Sequence, residues 1–110
     1  MVLDERLLPT GESVDVAPYD GPMEDRTWDD AFDGLEAPAR FELRGGGRTI
    51  ALDFVAGYDY AQVFSPPNGD FICFEPMTAP ANALHLPRGR LEEVAPGARR
   101  AAAFRISVYR

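Results

Sequence analysis

The chain has 110 residues, 45% of them hydrophobic, which is enough to bury one core and predicts a single globular domain over residues 1–110. Its 18 acidic residues against 11 basic residues give a net charge of −7, which repels both the nucleic-acid backbone and anionic membrane surfaces. We therefore expect neither nucleic acid nor membrane as a partner. Ten Gly and ten Pro, spread along the chain, favour short elements joined by turns, as in all-β folds.

The single cysteine, Cys73, excludes an intrachain disulfide and a cysteine-based metal site, and it is most simply a small buried side chain. No stretch is long and apolar enough for a signal-peptide core or a membrane span. These features together predict a cytoplasmic protein.

The first elements in chain order are irregular. Residues 1–25 are polar, contain several Pro and Gly breakers and lack periodicity, so they predict an extended arm that needs a surface to lie against. The next segment, Trp28 to Leu35, places three carboxylates among apolar side chains, and its shortness and acidity favour a loop or a single turn.

Two pairs of short strands follow. Arg40 to Leu43 and Thr49 to Phe54 alternate apolar and polar residues around a Gly45-Gly46-Gly47 turn, which indicates a hairpin. Gln62 to Ser65 and Phe71 to Glu75 form the second pair, separated by a segment rich in turn formers. The run Phe71 to Phe74 is apolar at every position and predicts a central strand covered on both faces.

The last third predicts a loop and a final strand. Residues 76–89 contain three prolines and little periodicity, which indicates a long ordered loop. After a Pro96-Gly97 turn, residues 101–109 alternate apolar and polar side chains and predict a half-buried strand. Five or six strands form either a small open sheet or a sheet with partners on another segment.

Three motifs, in this order and spacing, resemble the last third of an aldose 1-epimerase (mutarotase): LPTGE at 8–12, WDDAF at 28–32 and FEPMTAPANAL at 74–84. The resemblance implies an all-β fold, an antiparallel β-sandwich that forms the C-terminal part of a galactose mutarotase-like supersandwich. It also implies an isomerase that interconverts the α and β anomers of an aldohexose or related sugar. That reaction opens the hemiacetal ring with a base and an acid and requires neither cofactor nor metal.

The resemblance assigns Glu75 as the catalytic base that takes the proton of the anomeric hydroxyl. Its position after Phe71 to Phe74 predicts desolvation by apolar neighbours, which would raise its pKa toward the working pH. The alternative is a solvated glutamate at a strand end.

Two further positions are candidate substrate-binding residues. Asp29 matches the family's ligand for sugar hydroxyls, because a carboxylate can accept bonds from two neighbouring hydroxyls. Asp30 and Asp33 are close enough that a register error would exchange the assignment, and a solvated acidic loop is the alternative. Asn82 could contact a hydroxyl or orient Glu75, although such an Asn commonly satisfies backbone groups.

Other residues suggest chemistry but have simpler explanations. The only histidine, His85, does not match the family's general acid, which precedes the region that this chain resembles, so we expect a loop or surface residue. Aromatic side chains could form a platform for a sugar ring, although core packing is the commoner role; they are Trp28, Tyr58, Tyr60 and Phe64.

The chain departs from the family in two respects. The residues after Glu75 differ from the run of the galactose-type members, so no particular sugar is assigned. The family's acid is not matched, so we expect negligible mutarotase activity and weak sugar binding from these 110 residues alone. Two alternatives stay open: a non-catalytic carbohydrate-binding β module, and a fragment or subunit that completes a sandwich by self-association or with a complementing chain.

Overall fold

The computed structural model describes residues 1–24, 26–36, 38–86 and 91–110. These residues form two antiparallel three-stranded sheets and one short 3-10 helix. Sheet I has the strand order β1-β4-β5 and sheet II the order β2-β3-β6. The prediction of an all-β, antiparallel sandwich-like fold is confirmed. The elements are β1 (Trp28–Phe32), β2 (Ala39–Gly45), β3 (Arg48–Ala56), β4 (Tyr60–Ser65), β5 (Cys73–Met77), the 3-10 helix (Ala83–His85) and β6 (Ala103–Tyr109).

The predicted hairpin is confirmed as β2 and β3. Gly45 pairs with Arg48, so two residues close the loop, and both of them, Gly46 and Gly47, have positive φ angles of 56° and 72°. A two-residue turn with two positive φ angles matches the right-handed twist of the flanking strands, and glycine adopts it without a Cβ clash.

The second predicted pair is also antiparallel, but the expected position of its second strand is wrong. β5 begins at Cys73 rather than Phe71, extends to Met77, and lies at the edge of sheet I. Its residues are half-buried or exposed, so it is not a central strand covered on both faces. The physical reason is Pro76, which has no N–H for a ladder and is therefore suited to an edge.

The acidic segment after residue 27 forms a strand, β1, where a loop or turn was predicted. Its five residues pair in register with β4, from Trp28 opposite Ser65 to Phe32 opposite Ala61. Asp29 and Asp30 are both exposed because β1 is an edge strand, so pairing with β4 costs no burial of charge. Tertiary pairing thus overrides the local sequence preference.

The core lies between the two sheets. Ala61 on β4 is 1% exposed and packs in one cluster with the buried Leu52 and Phe54 of β3, and Val63, on the same face of β4, is 4% exposed. The rings of Phe41 on β2 and Phe74 on β5 stack across the sheets with centroids 5.3 Å apart. Sheet I therefore packs on the β2–β3 side of sheet II.

Strand β6 is where predicted, but its apolar face is not half-buried. Phe104, Ile106 and Val108 are 49%, 64% and 62% exposed. They lie on the same face of sheet II as Leu52 and Phe54, since they oppose that face's residues on β3. Among the described residues the ring of Tyr58 lies against Phe104, with centroids 6.2 Å apart, and most of this apolar row stays exposed to solvent.

An ion pair stabilises the other face of sheet II. The Arg40 guanidinium donates to both carboxylate oxygens of Asp53, at 2.6 and 3.0 Å. Its hydrogen bond, more than its charge, holds the pKa of the Asp53 carboxyl below the ordinary value of 3.8, although burial opposes this shift. Such a bidentate pair fixes the position of two neighbouring strands.

The first part of the predicted arm folds into a compact loop. Residues 1–12 contain a turn in which the Asp4 carboxylate accepts the backbone N–H groups of Arg6 and Leu8. The amino group of Met1 donates to the carbonyl of Ala31 on β1 at 2.6 Å. Residues 14–24 form neither helix nor strand, and Asp25, the last residue of the predicted arm, lies outside the described residues.

The predicted loop after β5 is partly ordered into other structure. Residues 76 and 77 belong to β5, and the 3-10 helix follows at 83–85. Residues 87–90, which include Pro87 and Gly89 of the prediction, lie outside the described residues. The predicted turn at Pro96-Gly97 is confirmed, with Ala98 donating to the carbonyl of Ala95 at 3.0 Å.

Candidate functional site

A row of three polar side chains crosses the outer face of sheet I, the face turned away from sheet II. Gln62 on β4 opposes Ala31 on β1 and Glu75 on β5. Opposed residues share a face, and Asp29 shares the face of Ala31 because it lies two residues before it. Asp29, Gln62 and Glu75, hereafter the polar row, therefore stand side by side on three adjacent strands.

The two ends of the polar row are open to solvent. Asp29 and Glu75 are exposed, and Gln62 between them is half-buried. The Nε2 group of Gln62 donates to Oδ1 of Asp29 at 2.7 Å. This bond fixes the amide with its Oε1 atom as the remaining acceptor, so the row offers two carboxylates and one amide oxygen to a ligand rich in hydroxyl donors.

The expected desolvation of Glu75 is wrong. The residue is exposed, because it projects from an edge strand onto the outer face, whereas Phe74 projects inward and stacks on Phe41. Phe74 thus lies on the opposite face, Phe71 and Ile72 precede the strand, and Cys73, two residues before Glu75 on the same face, leaves the carboxylate exposed. The role of Glu75 as a base remains a prediction, and its apolar shielding would have to come from elsewhere.

The strand β1 distinguishes Asp29 from Asp30 by the face to which each side chain projects. They are consecutive in β1 and project to opposite faces, and only Asp29 joins the polar row. The third carboxylate considered, Asp33, lies after the strand and accepts a hydrogen bond from Ser13 at 2.7 Å. The geometry therefore places Asp29, rather than Asp30 or Asp33, in the same row as Glu75.

Gln62 was missed as a candidate site residue in the sequence. Its place in the alternating run from Gln62 to Ser65 put it on the opposite face from the buried Val63, and this was the available signal. A polar residue on a half-buried strand is ordinarily solvent-facing, so only the pairing with Asp29 and Glu75 distinguishes it.

The side chain of Asn82 contacts the arm. Its Nδ2 group donates to the carbonyl of Pro9 at 3.2 Å, and Pro9 is among the most buried residues. Asn82 also precedes the 3-10 helix with a φ of 65°, a left-handed conformation that Asn tolerates. This structural contact accounts for the residue, and its sugar-binding role remains a prediction.

The four aromatic candidates separate into two groups. Tyr60 and Phe64 lie on the outer face with the polar row, opposite Met77 and Cys73. Trp28 projects to the other face and stands 5.4 Å from the ring of Tyr19, while Tyr58 packs against the core. Only the first group is placed to contact a ligand on the outer face.

The remaining candidates lie outside the polar row. His85 is exposed in the 3-10 helix after β5, and the half-buried Cys73 is a free thiol. An open cleft of about 600 Å³, lined partly by Arg26, Ser65 and Phe71, does not include the polar row. Among the described residues, no helix is long and apolar enough to cross a membrane.

Comparison with protein-family models, with curated proteins and with solved structures gives no match. The resemblance to aldose 1-epimerases therefore stands on the three sequence motifs alone. Two of them contribute directly to the polar row, since WDDAF contains Asp29 and FEPMTAPANAL contains Glu75.

Proposed function

We propose that the outer face of sheet I binds an aldohexose or related sugar and that the chain carries part of the site of an aldose 1-epimerase. The observation that supports this most is the polar row. Asp29 and Glu75, 46 positions apart in the sequence, lie on one face of one sheet with Gln62 between them.

The polar row suits the chemistry of ring opening on one side of the sugar. Glu75 is the proposed base, which removes the proton of the anomeric hydroxyl so that the bond between the anomeric carbon and the ring oxygen can break. Asp29 accepts hydrogen bonds from sugar hydroxyls, and Gln62 contributes its amide oxygen while holding Asp29. Tyr60 and Phe64 flank the row with apolar ring surface.

The reaction also needs an acid that protonates the ring oxygen, and the polar row contains no such group. His85, the chain's histidine, lies outside it. We therefore expect these 110 residues to bind sugar weakly, with a Kd in the millimolar range, and to accelerate anomer interconversion negligibly.

The exposure of Glu75 favours a second candidate, a non-catalytic carbohydrate-binding β module. Sugar binding by an exposed row of acceptors needs ring surface nearby but no water-poor pocket, and both carboxylates of the polar row are exposed. The two functions share the ligand and differ in turnover.

Sugar titration followed by two-dimensional NMR tests the site. D-glucose or D-galactose should shift the side-chain amide signals of Gln62 and the backbone signals of β1, β4 and β5. Asp29→Asn should weaken binding about tenfold, because replacing a charged acceptor by a neutral one costs about 1–1.5 kcal/mol per hydrogen bond. The control is Asp30→Asn, the same change on the opposite face of the same strand, which should leave the Kd unchanged. Equal effects of the two substitutions would refute the assignment.

Polarimetry of a freshly dissolved anomer distinguishes catalysis from binding alone. We expect a rate at the buffer level with the chain present. A clear acceleration that Glu75→Gln abolishes would contradict this expectation and make the chain an enzyme by itself. Binding that persists in Glu75→Gln with no turnover would support the carbohydrate-binding module.

A further inference from the structure

Strand β6 differs from the other strands at the edges of the two sheets. Edge strands are usually protected from further pairing by charge, proline or a covering segment. Three of the four edges here carry such protection: β1 has two aspartates, β2 has three charged residues, and β5 has Glu75 and Pro76. β6 is seven residues long and contains one charged residue, Arg105, and no proline. Among the described residues no strand pairs with its outer edge.

The unprotected edge coincides with a partly exposed apolar row. Phe104, Ile106 and Val108 are about half exposed or more, and Ile50 on β3 extends the row at 45% exposure. Phe104, Ile106 and Val108 lie on the edge strand itself, so one partner strand placed beside β6 would satisfy the unpaired backbone groups and bring its own side chains against the flanks of these three residues.

The sequence of β6 is complementary to itself in one antiparallel register. When two copies pair about a two-fold axis at Ile106, each Phe104 opposes the partner's Val108 and each Ala103 opposes the partner's Tyr109. Arg105 then opposes Ser107, so no two like charges stand directly opposite. Asp53 of β3 stands opposite Arg105 of β6 and supplies a neighbouring negative charge.

We propose that β6 is a self-association surface, and that two copies of this chain join their β6 strands antiparallel about Ile106 into a six-stranded sheet. The contact is isologous, which closes at a dimer. The paired backbone edge and the flanks of the apolar side chains on β6 bury less than the ~800 Å² per partner of a standard interface, because the outward face of the row stays exposed. The dimer should therefore dissociate on dilution. This inference is independent of the proposed sugar site.

Cross-linking tests the register directly. The two-fold axis brings the Cα atoms of both Ile106 residues to about 4.5–5.5 Å, within the range that a disulfide spans. In a Cys73→Ser background, Ile106→Cys should give a disulfide-linked dimer under mild oxidation. Phe104→Cys or Val108→Cys alone should cross-link far less, and an equimolar mixture of the two should cross-link to each other. Leu84→Cys, also exposed but outside β6, is the control.

Light scattering coupled to size exclusion tests the association without cysteine chemistry. The unmodified chain should shift from dimer toward monomer mass on dilution, and Ile106→Lys should be monomeric at every concentration. Leu84→Lys, which adds the same charge at another exposed leucine, should keep the dimer. Circular dichroism should show the same β content in all three chains. A monomeric unmodified chain, or a dimer indifferent to Ile106→Lys, would overturn the inference.

Discussion

Phe54 and Phe104 provide a matched pair that measures how much sheet I stabilises sheet II. The two residues oppose each other on β3 and β6 and share a face, but Phe54 is 2% exposed and Phe104 is 49% exposed. Phe54→Ala should lower the free energy of unfolding by about 3–5 kcal/mol, because it removes a buried ring and leaves a cavity. It also removes the ring contacts of Phe54 with Phe41 and Tyr58, whose ring centroids lie 5.3 and 5.8 Å from that of Phe54.

Phe104→Ala should cost only about 1–2 kcal/mol, since half of the ring is already in water and no cavity forms. The assay is urea unfolding followed by circular dichroism, at concentrations where the chain is monomeric. A loss of 3–5 kcal/mol is a large part of the stability of a small domain, so Phe54→Leu serves as a milder variant if Phe54→Ala does not fold. Equal losses at Phe54 and Phe104 would refute the conclusion that sheet I covers only part of sheet II.

Three further predictions concern one ion pair, one turn glycine and one side-chain hydrogen bond. The hydrogen bond from Arg40 lowers the pKa of Asp53 below 3.8. The ion pair therefore stabilises the folded chain above that pH, and this stabilisation is lost as the pH falls through the lowered pKa. The melting temperature should fall less steeply with acid in Asp53→Asn than in the unmodified chain. Gly47→Ala should cost roughly 1–2 kcal/mol of unfolding free energy because φ is 72° there, whereas Gly45→Ala, where φ is not positive, should be nearly neutral by thermal unfolding. Asn82→Gly keeps the left-handed backbone but removes the bond to the arm, so amide exchange within residues 1–12 should accelerate while exchange in β3 stays unchanged.

Local sequence signals were sufficient for the elements defined by turns and alternation. The Gly45-Gly46-Gly47 run correctly predicted the hairpin, and the alternation of residues 104–108 correctly predicted the last strand. In both cases the pattern depends only on neighbours in sequence. The same pattern could not show whether the apolar side of β6 is covered, because covering depends on how far sheet I reaches across sheet II.

Pairing between strands that are distant in the sequence explains why the predictions for β1 and β5 were wrong. β1 is acidic and short, and it becomes a strand only because β4 supplies a complete antiparallel partner. β5 was expected in the sheet centre from its apolar residues, yet Pro76 suits it to an edge, where Glu75 is exposed. The association of Asp29 with Gln62 required the register of β1 on β4, which no local pattern in the sequence contains.

The order in which the chain visits its two sheets has a consequence for cooperativity. β1 belongs to sheet I, the next two strands to sheet II, the following two to sheet I, and β6 returns to sheet II. No continuous half of the polypeptide therefore contains a complete sheet, and any proteolytic cut between β2 and β5 divides both sheets. The described strands should unfold together in one transition, so that removal of β6 from sheet II also lowers the stability of sheet I.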